Sequence, residues 1–210
     1  MRNINPYLGK VRTALVLCLI LTLAGCAQHE SSASSPARDG SKKLSTIKTV
    51  CMVELKNKTS YPQISGDITE SLYQSIQKKQ VFTLSLLKQT DPAFNTLDVK
   101  PDSAYTLEQL MAARKLLGTD ALLIGTVTGY SPYPHMTIGL QMKLVDLRTG
   151  QVLWAIQQVW DSSDKTIQER IKKYFDRQLR SDFSTIGDHL ATLSPINFVK
   201  FITYEVTETL

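Results

Sequence analysis

"GTDALLIGTVTGY" (residues 118–130) and "LVDLRTGQVLW" (residues 144–154) decide the fold of this chain. Ala121 to Tyr130 is apolar at its start and alternates later, which predicts a strand. Met136 to Leu147 alternates throughout, with Ile138, Leu140, Met142 and Leu144 set against Gly139, Gln141 and Lys143. Arg148-Thr149-Gly150 reads as a tight turn in which Gly150 supplies positive φ. Val152 to Trp160 then returns, with Val152, Trp154 and Ile156 alternating. The two later strands are therefore expected to form a hairpin.

Upstream, the pattern changes period. Thr106-Leu107-Glu108-Gln109 is a capping box, in which the Thr hydroxyl and the Gln side chain satisfy free backbone N–H groups. It opens a helix through Leu110, Ala113, Leu116 and Leu117, and Gly118 closes it where a left-handed cap is usual. Ile47 to Leu55 is β-rich, with Val50, Met52 and Val53 marking a buried strand. Thr59 to Ser65, with Pro62, is a loop. Ile68, Leu72 and Ile76 fall at helical spacing, and Lys78 and Lys79 sit in the last turn, so a helix is expected over 66–79. Val81 to Leu87 is a second strand, and Asp91 to Ser103, with Pro92 and Pro101, a loop.

Downstream, Ile167, Ile171, Phe175, Leu179, Phe183 and Ile186 make one apolar stripe on a long amphipathic helix. Its basic side chains, Arg170, Lys172, Lys173, Arg177 and Arg180, lie off the stripe among Glu169, Asp176 and Asp182, as on a solvated helix back. Ser194-Pro195 is an N-cap and first-turn pair. Phe198, Phe201, Ile202 and Glu205 then share a face. The order is β-α-β-α-β-β-β-α-α: an α/β (α+β) domain over 44–210, with a mixed sheet and helices packed on it.

The beginning of the chain is of another kind. Arg2, Lys10 and Arg12 precede an apolar run from Thr13 to Leu23. About eleven residues are too few for a membrane span, which takes about twenty, and suit a secretory leader. Leu23-Ala24-Gly25-Cys26 resembles the bacterial lipobox, which implies a leader over 1–25 and a lipid on Cys26. Ala27, rather than Asp, resembles the outer-membrane sorting signal of enteric bacteria. Residues 26–43 are Ser-rich with almost no large apolar side chain, the composition of a flexible tether. The formal charge is +5, but three basic residues leave with the leader, so the mature chain stands at about +2 and its charge does not indicate nucleic acid. Cys18 leaves as well, Cys26 is committed to lipid, and Cys51, in the apolar stretch 49–53, reads as a small buried hydrophobe.

The two blocks quoted first resemble the periplasmic lipoproteins that share the curli-secretion lipoprotein fold. That group includes the penicillin-binding-protein activator lipoprotein, the lipoprotein of Pel polysaccharide export, flagellar outer-membrane lipoproteins and the amino-terminal domain of TolB. Gly118, Asp120, Gly125, Asp146, Thr149, Gly150 and Trp154 match the shared pattern. The resemblance implies an outer-membrane, periplasm-facing accessory or assembly lipoprotein. It would act by protein contact in export, surface-appendage formation or cell-wall synthesis. The alternative is a ring-forming subunit of a secretion channel. The carboxy-terminal "SPINFVKFITYEV" lies outside the pattern, and the long segments of the curli pore's barrel have no counterpart, which weighs against a pore of that type.

Catalytic and metal signatures are not evident. His29, His135 and His189 are not at ligand spacing, and no Cys-x-x-Cys, Gly-x-Ser-x-Gly or phosphate loop occurs. Asp161 and Asp164 sit where a strand hands over to a helix, a usual capping position. No cofactor and no enzymatic activity are expected. Gly129-Tyr130-Ser131-Pro132-Tyr133-Pro134-His135 is more unusual, a stiff aromatic loop between strands. Tyr130 and Tyr133, with Trp160 at the end of the hairpin, are the candidate partner contacts, since Tyr is amphipathic and Pro lowers the entropy lost on docking. The expected partners are the membrane, through the lipid on Cys26, and an envelope protein, with self-association as a further option. Replacing Cys26 by Ser should leave the precursor uncut and unlipidated, because no other group there can form the thioether. Metabolic labelling with a fatty-acid analogue checks this, and equal label in wild type and variant would refute it.

Overall fold

A computed structural model describes residues 44, 46–97, 101, 103–179 and 194–210. All belong to one compact unit, Ala37–Leu210. The leader, Cys26, the tether, His29, His189 and the distal helix positions Phe183 and Ile186 lie outside the described residues.

The elements are β1 (Thr49–Val53), β2 (Lys56–Asn57), α1 (Ile64–Lys79), β3 (Thr83–Leu87), α2 (Pro92–Thr96), α3 (Leu107–Leu117), β4 (Ala121–Ser131), β5 (Thr137–Asp146), β6 (Val152–Asp161), α4 (Lys165–Leu179) and α5 (Pro195–Glu208). The sheet runs β3-β1-β4-β5-β6, with β2 paired to β4 beyond the end of β1. Pairs β1–β3 and β1–β4 are parallel, as crossovers through α1 and α3 require. Pairs β4–β5 and β5–β6 are antiparallel. The mixed α+β sheet expected from the sequence is the fold observed.

Alternation sorts the side chains onto two faces. Val50, Met52, Leu123, Leu140 and Trp160 face one core, closed by Ile68, Leu72 and Ile76 of α1, Ile167 and Ile171 of α4, and Phe198, Phe201 and Ile202 of α5. Cys51, Val53, Leu122, Ile124 and Val145 face a smaller core under Leu110 and Ala113 of α3. The capping box on Thr106 and Gln109 is formed, and Gly118 ends α3 at φ +64°. Leu116 faces solvent, while Leu117 packs at the margin of the smaller core.

Four details differ from the expectations. Helix α1 begins at Ile64, two residues earlier than expected, because Ile64 is the first apolar member of its buried stripe. The expected loop 91–103 contains α2, started by Pro92 at its first position. Strand β2 is two residues long, too short to show a period. Ser194 occupies the N-cap of α5, but its side chain makes no capping hydrogen bond.

Gly150 has φ +72°, and a Cβ there would lie 2.9 Å from Leu110 Cδ1. Replacement by Val therefore meets both backbone strain and a steric clash. Gly150→Val is expected to cost on the order of 1–3 kcal/mol, read as a lowered thermal midpoint of the domain. An unchanged melt would contradict the turn.

Candidate functional site

The residues of the shared pattern build the scaffold. Asp120 Oδ2 accepts hydrogen bonds from the Lys48 N–H, the Thr49 N–H and the Thr49 hydroxyl, each at 3.2 Å. Burial opposes ionisation of this carboxyl, but those donors and the charge of Arg148 outweigh it and hold its pKa below the usual value. Asp146 Oδ1 accepts from the Arg148 backbone N–H at 2.8 Å and organises the turn. Thr149 Oγ1 accepts from the Gln151 N–H at 3.3 Å. A Cβ on Gly125 would lie 2.6 Å from Met142 Cγ and 2.8 Å from the Gln141 carbonyl oxygen, so only Gly fits there. Trp154 Nε1 donates to Thr209 Oγ1 at 3.2 Å, tying β6 to the end of α5. These groups are engaged within the domain.

The aromatic loop is differently placed. Tyr130, half-buried, stands edge-to-face on Tyr61, with ring centroids 4.9 Å apart and planes at 87°. Tyr133 is 83% exposed and Tyr61 43% exposed. Both loops are held by polar contacts. Ser131 Oγ donates to the Tyr133 carbonyl at 2.6 Å. Asn57 Nδ2 donates to the Tyr61 carbonyl at 2.7 Å, and Asn57 Oδ1 accepts from the Thr59 N–H at 2.8 Å. The Tyr133–Pro134 peptide is cis. At the loop's other end, the Met136 N–H donates to Ser162 Oγ at 2.9 Å. The result is a stiff aromatic rim in which the rings of Tyr61 and Tyr133 remain available to water. Burial, together with Tyr61, Asp67 and Tyr133, raises the Tyr130 pKa, so its hydroxyl is neutral at physiological pH.

Tyr61 escaped the sequence analysis. Its signal was the repeated Tyr-Pro dipeptide, at 61–62 and again at 133–134. Trp160 requires a correction. Its side chain is fully buried, and its indole N–H donates to Glu205 Oε2 at 2.9 Å. The same carboxylate pairs with Arg170 at 3.2 Å. Trp160 is a core residue joining β6, α4 and α5 and offers no surface to a partner.

Asp161, Asp164 and Cys51 are engaged locally. Asp161 Oδ1 accepts from the N–H and hydroxyl of Ser163, and Asp164 Oδ1 from those of Thr166, both at the start of α4. Cys51 is buried, and burial raises its thiol pKa against the Ser85 hydrogen bond. Among the described residues, no cluster of three His, Cys, Asp or Glu side chains is arranged to hold a metal ion.

The model of the family described as "Peptidoglycan-synthase activator LpoB" matches residues 26–159. The chain belongs to that family. The matched span begins at Cys26 and takes in Tyr61, Tyr130 and Tyr133, stopping within β6. Of the envelope processes open from the sequence, LpoB membership selects cell-wall synthesis, with an accessory role exercised through protein contact. Among solved structures, the LpoB C-terminal domain from Salmonella enterica is 24% identical over 58% of this chain and 91% of its own, with a TM-score of 0.41. The PelC dodecamer from Paraburkholderia phytofirmans is 11% identical over 78% of this chain and 88% of its own, with a TM-score of 0.47. The lipoprotein GNA1162 from Neisseria meningitidis is 18% identical over 65% and 99%, with a TM-score of 0.42. No curated protein sequence matches the chain.

Trp160→Phe removes the hydrogen bond to Glu205 while keeping most of the packing. It should cost about 1.5–3 kcal/mol, the range for a hydrogen bond to a charged group. Thermal unfolding measures this, and an unchanged midpoint would contradict the buried assignment.

Proposed function

We propose that this chain is an outer-membrane lipoprotein, held by lipid on Cys26 and facing the periplasm, that activates a peptidoglycan synthase by direct contact. The family match over 26–159 carries this reading. The family description names an activator of a synthase, which supports a regulatory rather than a catalytic role.

The contact is assigned to the aromatic rim of Tyr61 and Tyr133, braced by Tyr130. Exposed tyrosines fixed by backbone and proline lose little freedom on docking, and rings of this kind dominate binding energy at protein interfaces. The rim occupies one end of the sheet, where the β4–β5 loop meets the β2–α1 loop, so a partner can reach it without disturbing the core. Residues 26–43 serve as the tether that lets the domain orient toward that partner.

The test is glycan-chain synthesis by a purified peptidoglycan synthase of the same envelope, with and without the full-length lipoprotein. Wild type should accelerate it. The double variant Tyr61→Ala, Tyr133→Ala should lose no more stability than the one ring contact with Tyr130 contributes, about 0.5–1.5 kcal/mol, and lose affinity by about tenfold or more, equivalent to about 1.4 kcal/mol. Full activation by the double variant would move the contact off this rim. Failure of wild type to bind or accelerate the synthase would overturn the activator reading itself.

A further inference from the structure

Strand β6 is an edge of the sheet, and among the described residues only β5 pairs with it. Natural edge strands are blunted by charge, proline, bulges or shortness, because their free N–H and C=O groups template further pairing. The opposite edge, β3, follows that rule with five residues. Strand β6 has ten, and Val152 to Trp160 contains no charged residue and no proline. Its register shift falls near its start, where Leu144 pairs with Trp154 and Val145 with Val152, so Trp154–Asp161 is a regular edge. Val159 is 66% exposed although it lies within an apolar strand.

We propose that β6 is a homodimer interface, pairing antiparallel with β6 of a second copy across a two-fold axis. A perpendicular two-fold keeps each residue on its own sheet face, so residues of equal parity meet. Centred on Gln157, the axis sets Val159 of one copy against Ala155 of the other, large against small. The two Gln157 side chains meet on the axis, where an amide can donate to its counterpart's carbonyl. Ile156 meets Gln158 on the other face, and no like charges are opposed. This fit of the exposed side chains to their own two-fold images favours a second copy over an unrelated strand. Lipid anchoring, the part that rests on the proposed function, would raise the local concentration of copies. The strand geometry is independent of it.

Full-length protein in cells is treated with a short bismaleimide. Gln157→Cys is expected to give a covalent homodimer, Thr83→Cys on the β3 edge none, and wild type, whose Cys51 is buried, none. Adding Val159→Lys to Gln157→Cys should abolish the adduct, since the two-fold brings a lysine to each end of the contact. In detergent, wild type should scatter light as a dimer and Val159→Lys as a monomer with an unchanged melt. A Gln157→Cys protein that stays monomeric, equal dimer from Thr83→Cys, a closed ring in place of a dimer, or an adduct with another envelope protein instead would each overturn the proposal. Synthase activation by a monomeric Val159→Lys variant would not bear on it, so the two hypotheses fail separately.

Discussion

Three strands meet at Asp120. Its carboxylate gathers the N–H groups of Lys48 and Thr49 at the start of β1, and its own N–H reaches the Thr49 carbonyl at 3.0 Å. Its carbonyl accepts from the Leu147 N–H at 2.9 Å, at the end of β5. One residue thus sets where β4 begins, which register β1 takes beside it and where the antiparallel hairpin returns. A parallel pair has no tight turn to fix its register, so a side-chain clamp is the natural substitute. Gly118 lets the chain turn sharply from α3 into this joint, and Gly150 closes the hairpin against Leu110 of the same helix. The shared pattern of glycines and aspartates is therefore a pattern of joints.

This explains how far the sequence could be read. Capping, tight turns and alternation are local, and they yielded α3, β4, the hairpin and most of the order of elements along the chain. Strand β2 is too short to show a period, and in α2 no apolar period follows the Asp91-Pro92 start signal, so that stretch reads as a loop. Trp160 was misplaced for another reason. Its partner Glu205 lies 45 positions away, although its parity with Trp154 and Ile156 was already that of the core-facing row. At the candidate site, Tyr130 and Tyr133 were visible as a cluster. Tyr61 was not, because its edge-to-face contact spans two loops that only the sheet brings together.

Scaffold and surface are accordingly separate in this domain. The residues of the shared glycine and aspartate pattern hold strands and turns in place, and mutating them is expected to act through folding. The rim tyrosines Tyr61 and Tyr133 make few of those contacts and keep their rings at the surface. Trp160, Glu205 and Arg170 stand between the two classes. They fasten β6 to helices that lie beyond the span matched by the family.

Helix α5 adds a constraint in time. It covers α1 and the sheet through contacts such as Ser71 with Thr203 and Lys79 with the Thr207 carbonyl, 132 and 128 positions apart. A chain that emerges amino-terminus first exposes the α1 face long before its cover arrives, and such distant closures are slow to form. The larger core cannot be completed until α5 is available to close it. Until then Ile68 and Leu72 of α1 stay open to other hydrophobic surfaces.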